Sequence, residues 1–272
     1  MPELPEVETI CRDLNACLPG LTVSAVKVFD DRVVRGCAAA AFSRRLKGRT
    51  FVGIERRGKA LILYFAETPF SLVVQLMMTG QLIYAQPGPA GKVTKVAIAL
   101  SNGNRLLYND QRLFGRLQLV DDLAAFPYFQ KLGIEPLSAD FSAAWLTAQL
   151  PRHKTAVKTL LLNHQFVAGI GNIYAAEILF VARINPLRSA ADLTAAEVKR
   201  LFSAIGTVLS AAIEQRGTSV NTYRDAAGEK GRYVAQLQVY GREGEACRCC
   251  HQPVQRIMLS GRSTFFCRHC QK

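Results

Sequence analysis

The sequence predicts an α+β protein with a β-rich N-terminal part, a helical middle part and a small metal-binding module at the C-terminus. Up to about residue 135, short apolar segments typical of strands alternate with turns rich in glycine, proline and asparagine. Between residues 141 and 215, apolar residues recur at helical spacing in segments rich in alanine and leucine. Two Cys-x2-Cys pairs lie within the last 26 residues, a pattern typical of a metal site.

The composition restricts both the class of protein and its partner. The chain has 272 residues, 49% of them hydrophobic, which is enough for a packed core in one large domain or two ordinary ones. No apolar run approaches the roughly 18 residues of a membrane helix, and the acidic N-terminus is unlike a secretion signal. A net charge of +13 favours a polyanionic partner such as nucleic acid, with a merely basic protein as the alternative. We therefore expect a cytoplasmic protein with no membrane segment.

The first predicted element is a helix that begins near Pro5. Proline is favoured in the first turn of a helix, and the acids Glu6 and Glu8 lie beside the positive end of its dipole. An apolar stripe follows at helical spacing and comprises Val7, Ile10, Cys11 and Leu14. This stripe predicts that one face of the helix packs on a core.

The residues before this helix are candidates for catalysis. If Met1 is removed, Pro2 begins the chain with a secondary amine, which can attack a sugar C1′ and form an iminium. The helix dipole disfavours the ammonium form of that amine. Glu3 is then a candidate proton donor and Glu6 a second acid, whereas an N-terminus without a function is the alternative.

The β-rich part contains six segments with strand-like composition. They are separated by turns such as 86–91 and 101–104, which are rich in glycine, proline and asparagine. We predict strands over 21–29, 50–54, 60–66, 71–76, 95–100 and 105–108.

The helical part contains a predicted anion-binding turn. We predict helices over 141–150, 154–165, 172–184 and 194–215. Two glycines in 169–171 allow a sharp turn, after which Asn172 is a natural N-cap. The free N–H groups of a helix start attract anions, and Lys154 and Lys158 add positive charge nearby. This combination favours a phosphate site over the alternative, an ordinary helical corner.

The C-terminal module has the spacing of a four-thiolate zinc site. Cys247 and Cys250 form one pair and Cys267 and Cys270 the other, with sixteen residues between the pairs. Such a site is closed and structural, and it stiffens a hairpin too small to build its own core. We leave Cys249 outside the site because it breaks the paired spacing. Reduced thiols packed in a core are the alternative.

One arginine lies inside the predicted zinc hairpin. Arg262 follows Gly261 close to the expected turn. A rigid hairpin tip can point an arginine at a phosphate, which makes Arg262 a candidate for phosphate binding. A solvated arginine is the alternative.

These motifs, in this order, resemble those of the formamidopyrimidine-DNA glycosylases. The resemblance covers essentially the whole chain, and its most specific parts are the opening octet and the terminal cysteine pairs. The matching segments are 2–9, 57–59, 78–80, 110–115, 169–177 and the two cysteine pairs.

The resemblance implies a fold and an activity. The fold would be a β-sandwich flanked by helices over 1–135, a helix–two-turn–helix domain with a lesion loop over 136–235, and a zinc finger over 236–272. The activity would be that of a bifunctional DNA glycosylase and AP lyase of base-excision repair. Its partner would be double-stranded DNA that contains 8-oxoguanine, formamidopyrimidines or abasic sites, bound by a monomer.

The resemblance also implies roles for individual residues. Pro2 would be the Schiff-base nucleophile, Glu3 the assisting acid, Lys59 the residue that assists β-elimination, and Arg262 a participant in δ-elimination. On sequence alone, Lys59 is only a surface lysine at a hairpin turn. The residues expected to contact DNA are Glu6, Met78, Lys92, Lys95, Arg112, Phe114, Lys154, Lys158 and Asn172.

Three of these residues would fill the void that a flipped base leaves. Met78 would occupy the gap, Arg112 would bond the orphaned cytosine and Phe114 would wedge the opposite strand. Without the flanking motifs, ordinary core packing would be the better interpretation of Met78 and Phe114. The polar, glycine-rich segment 217–232 corresponds to the loop that closes over the purine.

The sequence departs from the family pattern in two places. Gln75 and Met77 stand where a histidine and a glycine are usual, and Val93 stands where a phosphate-contacting histidine is usual. Lys92 or Lys95 can replace that contact electrostatically. We expect these departures to change affinity and lesion preference more than the type of reaction.

Two other functions remain open at this point. The sister group, the endonuclease VIII-like glycosylases, shares the fold but favours oxidised pyrimidines; Leu4 together with Arg112 and Phe114 favours the purine enzyme. A non-catalytic zinc-finger DNA-binding protein would need only the charge, the helical turn and the zinc hairpin. Such a protein would have no use for a free Pro2 amine.

Overall fold

The computed structural model describes residues 1–272 and confirms an α+β fold with two compact units. The first unit consists of Met1–Gln130 and Gln215–Val234, and the second of Lys131–Glu214 and Ala235–Lys272. Packing thus places residues 215–234 in the first unit, whereas the predicted division at residues 135 and 235 follows the order of the chain. The boundaries of the three domains predicted from the sequence therefore stay a prediction.

The first unit contains nine strands in two sheets. The four-stranded sheet has the order β1-β7-β8-β6, and the five-stranded sheet has the order β2-β9-β5-β4-β3 once the strands are numbered along the chain. The strands are β1 (Val23–Val28), β2 (Val34–Arg35), β3 (Phe51–Arg57), β4 (Ala60–Phe65), β5 (Ser71–Gln75), β6 (Gln81–Ala85), β7 (Thr94–Leu100), β8 (Arg105–Asn109) and β9 (Arg116–Val120). All six predicted strands are present, and β2, β6 and β9 are additional.

The two sheets pack face to face around one apolar core. Alternate residues of β7, such as Val96 and Ile98, are buried against residues of β4 and β5, such as Leu63 and Leu72. The helices of this unit are α1 (Leu4–Asn15), α2 (Ala39–Leu46) and α3 (Pro127–Gln130). The predicted stripe on α1 belongs to the same core, which confirms a β-sandwich flanked by helices.

The central strands β4 and β5 are buried on both faces. Their second face carries Ala60 and Val73, which pack with Val120 of β9 and with aromatic side chains around α3. Because both faces of β4 and β5 are buried, their sequences are continuous apolar runs and do not alternate between apolar and polar residues.

The second unit is helical and ends in a hairpin. Its helices are α4 (Ala143–Gln149), α5 (Val157–Leu161), α6 (Asn172–Val181) and α7 (Ala195–Glu214), and its strands are β10 (Gln255–Leu259) and β11 (Arg262–Phe266). All four predicted helices are present, although α5 is shorter than expected. No helix in the chain is both long enough and apolar enough to span a membrane.

Candidate functional site

The N-terminal residues Pro2 and Glu3 are buried at the start of α1, while Met1 is exposed. Glu3 is the N-cap of the helix, and Glu3 and Glu6 form a capping box in which the Glu3 N–H donates to Glu6 Oε2 at 2.7 Å. With Met1 attached, the Pro2 nitrogen is an amide. Removal of Met1 would therefore create the amine at a site that α1 already holds in place.

Glu6 links this N-terminus to the polar segment 217–232. Its carboxylate is 1% exposed, and its second oxygen, Oε1, accepts the Thr218 N–H at 2.7 Å. Both carboxylate oxygens thus accept backbone N–H groups of the same unit. Glu6 was predicted to contact DNA; the structure shows its carboxylate joining the start of this segment to the Glu3 backbone at the start of α1.

The rest of the segment is anchored by a second set of charges. Arg216 donates to Asp13 of α1 at 2.6 Å and to Asp225 at 2.7 Å. Asp225 is fully buried and also accepts the Glu229 N–H at 2.8 Å. The segment that the sequence marked only as polar and glycine-rich is therefore built on a buried carboxylate.

We predict that Glu6→Gln loosens this segment. A glutamine offers only one acceptor, so its NH₂ group would face either the Glu3 N–H or the Thr218 N–H. Trypsin should then cut at Arg224, Lys230 or Arg232 about tenfold faster, because local opening becomes easier. Glu67→Gln, at an exposed site, is the matched control; equal cleavage rates in both variants would contradict the anchoring role of Glu6.

The segment 110–115 is organised by a buried acid that sequence reasoning did not single out. Asp110 is 1% exposed and accepts the Gly115 N–H at 2.8 Å and the Arg112 N–H at 3.1 Å. The Thr79 hydroxyl also donates to it, which joins this segment to the turn after Met78. The signal available in the sequence was an acid close to the end of a predicted strand with an apolar centre.

The three predicted void-filling side chains lie together. Met78 is 40% exposed and Phe114 is 47% exposed, so both apolar side chains are accessible at the surface. The Arg112 guanidinium lies between them, with Nη1 3.2 Å from Met78 Sδ and Cζ 4.8 Å from the centre of the Phe114 ring. An exposed apolar pair around an arginine fits insertion between bases better than it fits a core.

The two departures from the family pattern occupy different environments. Gln75 is buried in β5, paired with Ala60 of β4 and Arg116 of β9. Val93 lines a small depression that also contains Asp110 and Thr222. Lys92 is exposed next to Val93, and Lys95 is half-buried on the outward-facing side of β7.

In the second unit, the structure moves the predicted N-cap by one residue. Gly171 is the N-cap of α6 and Asn172 is its first residue. The prediction that Asn172 caps this helix is therefore wrong, because the amide of Asn172 points away to donate to the Ser263 carbonyl at 3.0 Å. Asn172 thus holds the hairpin of β10 and β11.

Lys158 also supports the hairpin. It is 1% exposed, and its Nζ donates to the Ser263 carbonyl at 3.0 Å and to the Thr264 hydroxyl at 2.8 Å. This geometry does not support the predicted contact of Lys158 with DNA, because the ammonium group is buried against the protein's own chain. Lys154 is exposed, as a phosphate contact requires.

Arg262 is the first residue of β11 and is exposed. The turn before it consists of Ser260 and Gly261, with φ values of 49° and 72°, as a tight two-residue hairpin turn requires. Since Lys158 and Asn172 both bind the next residue, Ser263, the hairpin tip is held from two helices. The structure thus places Arg262 directly after the turn of the hairpin, close to the turn as the sequence predicted; its contact with a phosphate stays a prediction.

The four paired cysteines come together as predicted. Their sulfur atoms all lie within 4.8 Å of one another, with 3.4 Å between Cys250 and Cys267 and 3.9 Å between Cys247 and Cys270. A tetrahedral metal with bonds of about 2.3 Å separates its sulfur ligands by about 3.8 Å. The cluster can therefore hold a metal ion. Cys249 lies outside it and is exposed.

The thiols of the cluster differ in their electrostatics. Burial and hydrogen bonds with Cys250 raise the pKa of Cys267 and Cys270, whereas the pKa of Cys247 is lowered. Burial raises the pKa of Cys247, but backbone N–H groups of Cys249 and Cys250 that point at its sulfur outweigh this and lower the pKa to about 7. Thiolate is the form that binds metal, so the chain itself favours the ligand state at this cysteine.

A buried acid of α6 supports the cysteine module. Glu177 of α6 is 1% exposed and accepts the N–H groups of Gln238, Val239 and Tyr240 at 2.7, 3.0 and 2.8 Å. These residues immediately precede the cysteine module, and Val239 packs with Cys247. A single acid inside the otherwise apolar helix α6 was the sequence signal for such a buried partner.

Comparison with known proteins gives one consistent result. The family model described as the formamidopyrimidine-DNA glycosylase N-terminal domain matches residues 1–117, and that of the H2TH domain of the same enzyme matches residues 132–224. The formamidopyrimidine-DNA glycosylase of Desulforamulus reducens is 44% identical over 100% of this chain and 99% of its own length. The enzyme of Pelotomaculum thermopropionicum is 42% identical with the same coverage.

Solved structures of formamidopyrimidine-DNA glycosylases are similar to this chain over nearly its whole length. A complex of Lactococcus lactis Fpg with abasic-site DNA has a TM-score of 0.92 and 34% identity over 99% of both chains. A complex of the same enzyme with DNA that contains Fapy-dG has a TM-score of 0.91 and 33% identity over 99% of this chain and 100% of the other.

Proposed function

The chain belongs to the formamidopyrimidine-DNA glycosylase family of base-excision repair enzymes, and from this premise we propose that it removes 8-oxoguanine and formamidopyrimidines from double-stranded DNA and then cleaves the strand. The observation that carries the proposal is the buried Pro2–Glu3 pair at the start of α1, next to the anchored segment 217–232. The solved relatives bound to Fapy-dG and abasic DNA support the substrate class. The alternative of a non-catalytic zinc-finger DNA-binding protein is not favoured, because the relatives that match over the full length are glycosylases.

Pro2 and Glu3 would carry out base removal. After loss of Met1, the Pro2 nitrogen attacks C1′, the bond from C1′ to the base breaks, and the departing base or ring oxygen takes a proton from Glu3. The attached nitrogen gives up its proton, and its electron pair then forms a second bond to C1′ while the bond from C1′ to the ring oxygen O4′ breaks. O4′ takes a proton from Glu3, and the product is an open sugar joined to Pro2 as a positively charged iminium. That charge acidifies C2′ for the next step.

Lys59 and Arg262 would act in the eliminations that follow. Removal of a proton from C2′ expels the 3′ phosphate, and a second elimination expels the 5′ phosphate. Lys59 would assist the first step and bind a nearby phosphate, and Arg262 would stabilise charge in the second. The rigid hairpin tip supports this role for Arg262, because it removes the cost of ordering a long side chain.

DNA would be held by phosphate contacts and by the void-filling residues. Exposed Lys154 and Arg262 supply cations, and the net charge of +13 adds a long-range attraction to DNA. Met78, Arg112 and Phe114 would replace the flipped base in the stack. We propose that the protein acts as a monomer in the cytoplasm, as expected from the sequence.

We propose that the metal is one zinc ion held by Cys247, Cys250, Cys267 and Cys270. Four thiolates and no open position are typical of structural zinc. Bound zinc would supply rigidity rather than chemistry. The cysteines would keep the hairpin folded so that Arg262 stays at its tip.

Removal of zinc should weaken DNA binding. Chelation leaves the hairpin without a core of its own, so the tip that presents Arg262 is lost. We expect affinity for a duplex with a tetrahydrofuran abasic analogue to fall about tenfold or more, and zinc addition to restore it. Titration of the apo and zinc-loaded protein by fluorescence anisotropy measures this, and full binding by metal-free protein would refute the structural role.

The substrate class is tested by borohydride trapping on two duplexes. One duplex carries 8-oxoguanine opposite cytosine and the other an oxidised pyrimidine opposite adenine. We expect faster trapping on the first, because the proposed role of Arg112 is to bond the orphaned cytosine. Faster trapping on the second would favour the endonuclease VIII-like specificity instead.

A further inference from the structure

The turn that carries Lys59 contains one peptide group that strand pairing does not hold. Arg57 and Ala60 are the last paired residues of β3 and β4, so Gly58 and Lys59 form a two-residue loop. Gly58 has a φ of 61°, the left-handed conformation that such loops take at their first central position. The peptide between Gly58 and Lys59 lies beyond the end of the β-ladder. Its orientation therefore has to be set by something other than strand pairing.

One side of this peptide is held by an arginine. Arg56 Nη1 donates to the Gly58 carbonyl oxygen at 3.1 Å, while Arg56 Nε donates to Glu8 Oε2 of α1 at 2.8 Å. The other Glu8 oxygen accepts Arg12 Nε at 2.8 Å. The Arg56 side chain is only 10% exposed, so the guanidinium is fixed between the helix and the turn.

The charge on Glu8 strengthens this contact. Burial raises the pKa of Glu8, but hydrogen bonds from Arg56 and Arg12 and their positive charges outweigh it and lower the pKa overall. Glu8 is therefore ionised at neutral pH, and its bond to Arg56 is charge-assisted.

The other side of the peptide is held by a tyrosine. The Lys59 N–H donates to the Tyr128 hydroxyl oxygen at 3.3 Å. Tyr128 belongs to α3 and packs against Ala60 and Val73 in the second apolar cluster, with its ring 5.4 Å from that of Phe129. The cluster thus fixes the hydroxyl group beside the turn.

We infer that Arg56 and Tyr128 clamp the Gly58–Lys59 peptide and so act as positioning residues for Lys59. The C=O and N–H of one trans peptide point in opposite directions, so partners on both sides oppose its rotation. Rotation of this peptide changes φ of Lys59 and swings the direction of its side chain. This inference rests on the proposed role of Lys59 in β-elimination, a step sensitive to small displacements of the assisting group.

The clamp itself is tested by amide hydrogen exchange at Lys59. Tyr128→Phe removes only the hydroxyl and keeps the ring in its cluster. The matched control is Tyr64→Phe, which removes a hydroxyl that donates to Glu55 at 2.9 Å on the same sheet. We expect the Lys59 amide to exchange about tenfold faster in Tyr128→Phe and at the original rate in the control.

The consequence for Lys59 is tested by single-turnover cleavage of abasic duplex DNA. In Tyr128→Phe we expect β-elimination to slow about fivefold, with the yield of borohydride-trapped adduct unchanged, since attack by Pro2 does not use Lys59. In a Lys59→Ala background, Tyr128→Phe should add no further loss, because the side chain that it positions is gone.

The outcomes separate the clamp from the proposed function. Slow cleavage in Lys59→Ala, with Lys59 exchange and cleavage both unchanged in Tyr128→Phe, would overturn the clamp alone. An equal loss from Tyr128→Phe with and without the Lys59 side chain would also overturn it, because a general loss of structure then explains the effect. Original cleavage rates in Lys59→Ala would refute the role of Lys59, and the positioning inference with it.

Discussion

Replacement of Pro2 by glycine should lower the rate of borohydride trapping on a lesion duplex by roughly 100-fold or more, as expected when the nucleophilic nitrogen is no longer held in a ring and is displaced from the sugar. Glycine also leaves a terminal amine after Met1 removal, but it has no ring. Pro2 is buried next to the start of α1, and without the buried ring the terminal nitrogen would be less fixed in position. Single-turnover trapping followed by peptide mass mapping measures the loss and identifies the attached residue.

A second variant removes the amine without a change of residue. An N-terminal extension that blocks removal of the residues before Pro2 keeps its nitrogen as an amide, which cannot form an iminium. Binding to duplex with an abasic analogue should survive in the Pro2→Gly variant, because the residues proposed to contact phosphate lie elsewhere in the chain. Trapping at the original rate in both variants would rule out Pro2 as the nucleophile.

Replacement of Asp110 by alanine should give the second large effect. Its carboxylate accepts the N–H groups of Arg112 and Gly115 and the Thr79 hydroxyl, all at a site that is 1% exposed. Loss of the acceptor leaves buried donors unsatisfied, which costs about 3 kcal/mol of the free energy of unfolding. We expect Arg112 and Phe114 to lose their fixed positions, and excision of 8-oxoguanine to slow about 100-fold.

The two consequences of this change can be measured separately. Urea unfolding reports the loss of stability, and single-turnover excision at low temperature reports the loss of positioning in protein that is still folded. Asp140→Ala, at an exposed site, is the control and should change neither quantity. Normal excision by folded Asp110→Ala protein would show that Arg112 and Phe114 need no such support.

Local patterns identified most of the secondary structure. Apolar alternation and turn residues located the six predicted strands, and helical spacing located α1, α4, α6 and α7. Strand β9 alternates polar and apolar residues over 116–120 and could have been predicted from that pattern. The two-residue strand β2 could not, because so short a segment carries no period.

Part of the candidate site could likewise be predicted from the sequence, and part could not. The cysteine spacing predicted the cluster of four sulfurs, and the resemblance to the family joined Met78, Arg112 and Phe114 in one hypothesis. Neither Asp110 nor Glu177 was assigned a function, because the donors that surround each acid are fixed only by the fold.

The sequence by itself determined the family, the order of its motifs, the metal-ligand spacing and the candidate nucleophile. These depend on residue identity and on spacing along the chain, which are complete in the sequence. Only the tertiary structure decided that Lys158 is buried against Ser263 and Thr264, that Gly171 rather than Asn172 caps α6, and that Glu6 holds Thr218. For Lys158 and Glu6, the hydrogen-bond partner lies far away along the chain. For the N-cap of α6, the backbone angles of Gly171 decide where the helix begins. Burial and hydrogen-bond partners are properties of the folded chain, and local spacing does not contain them.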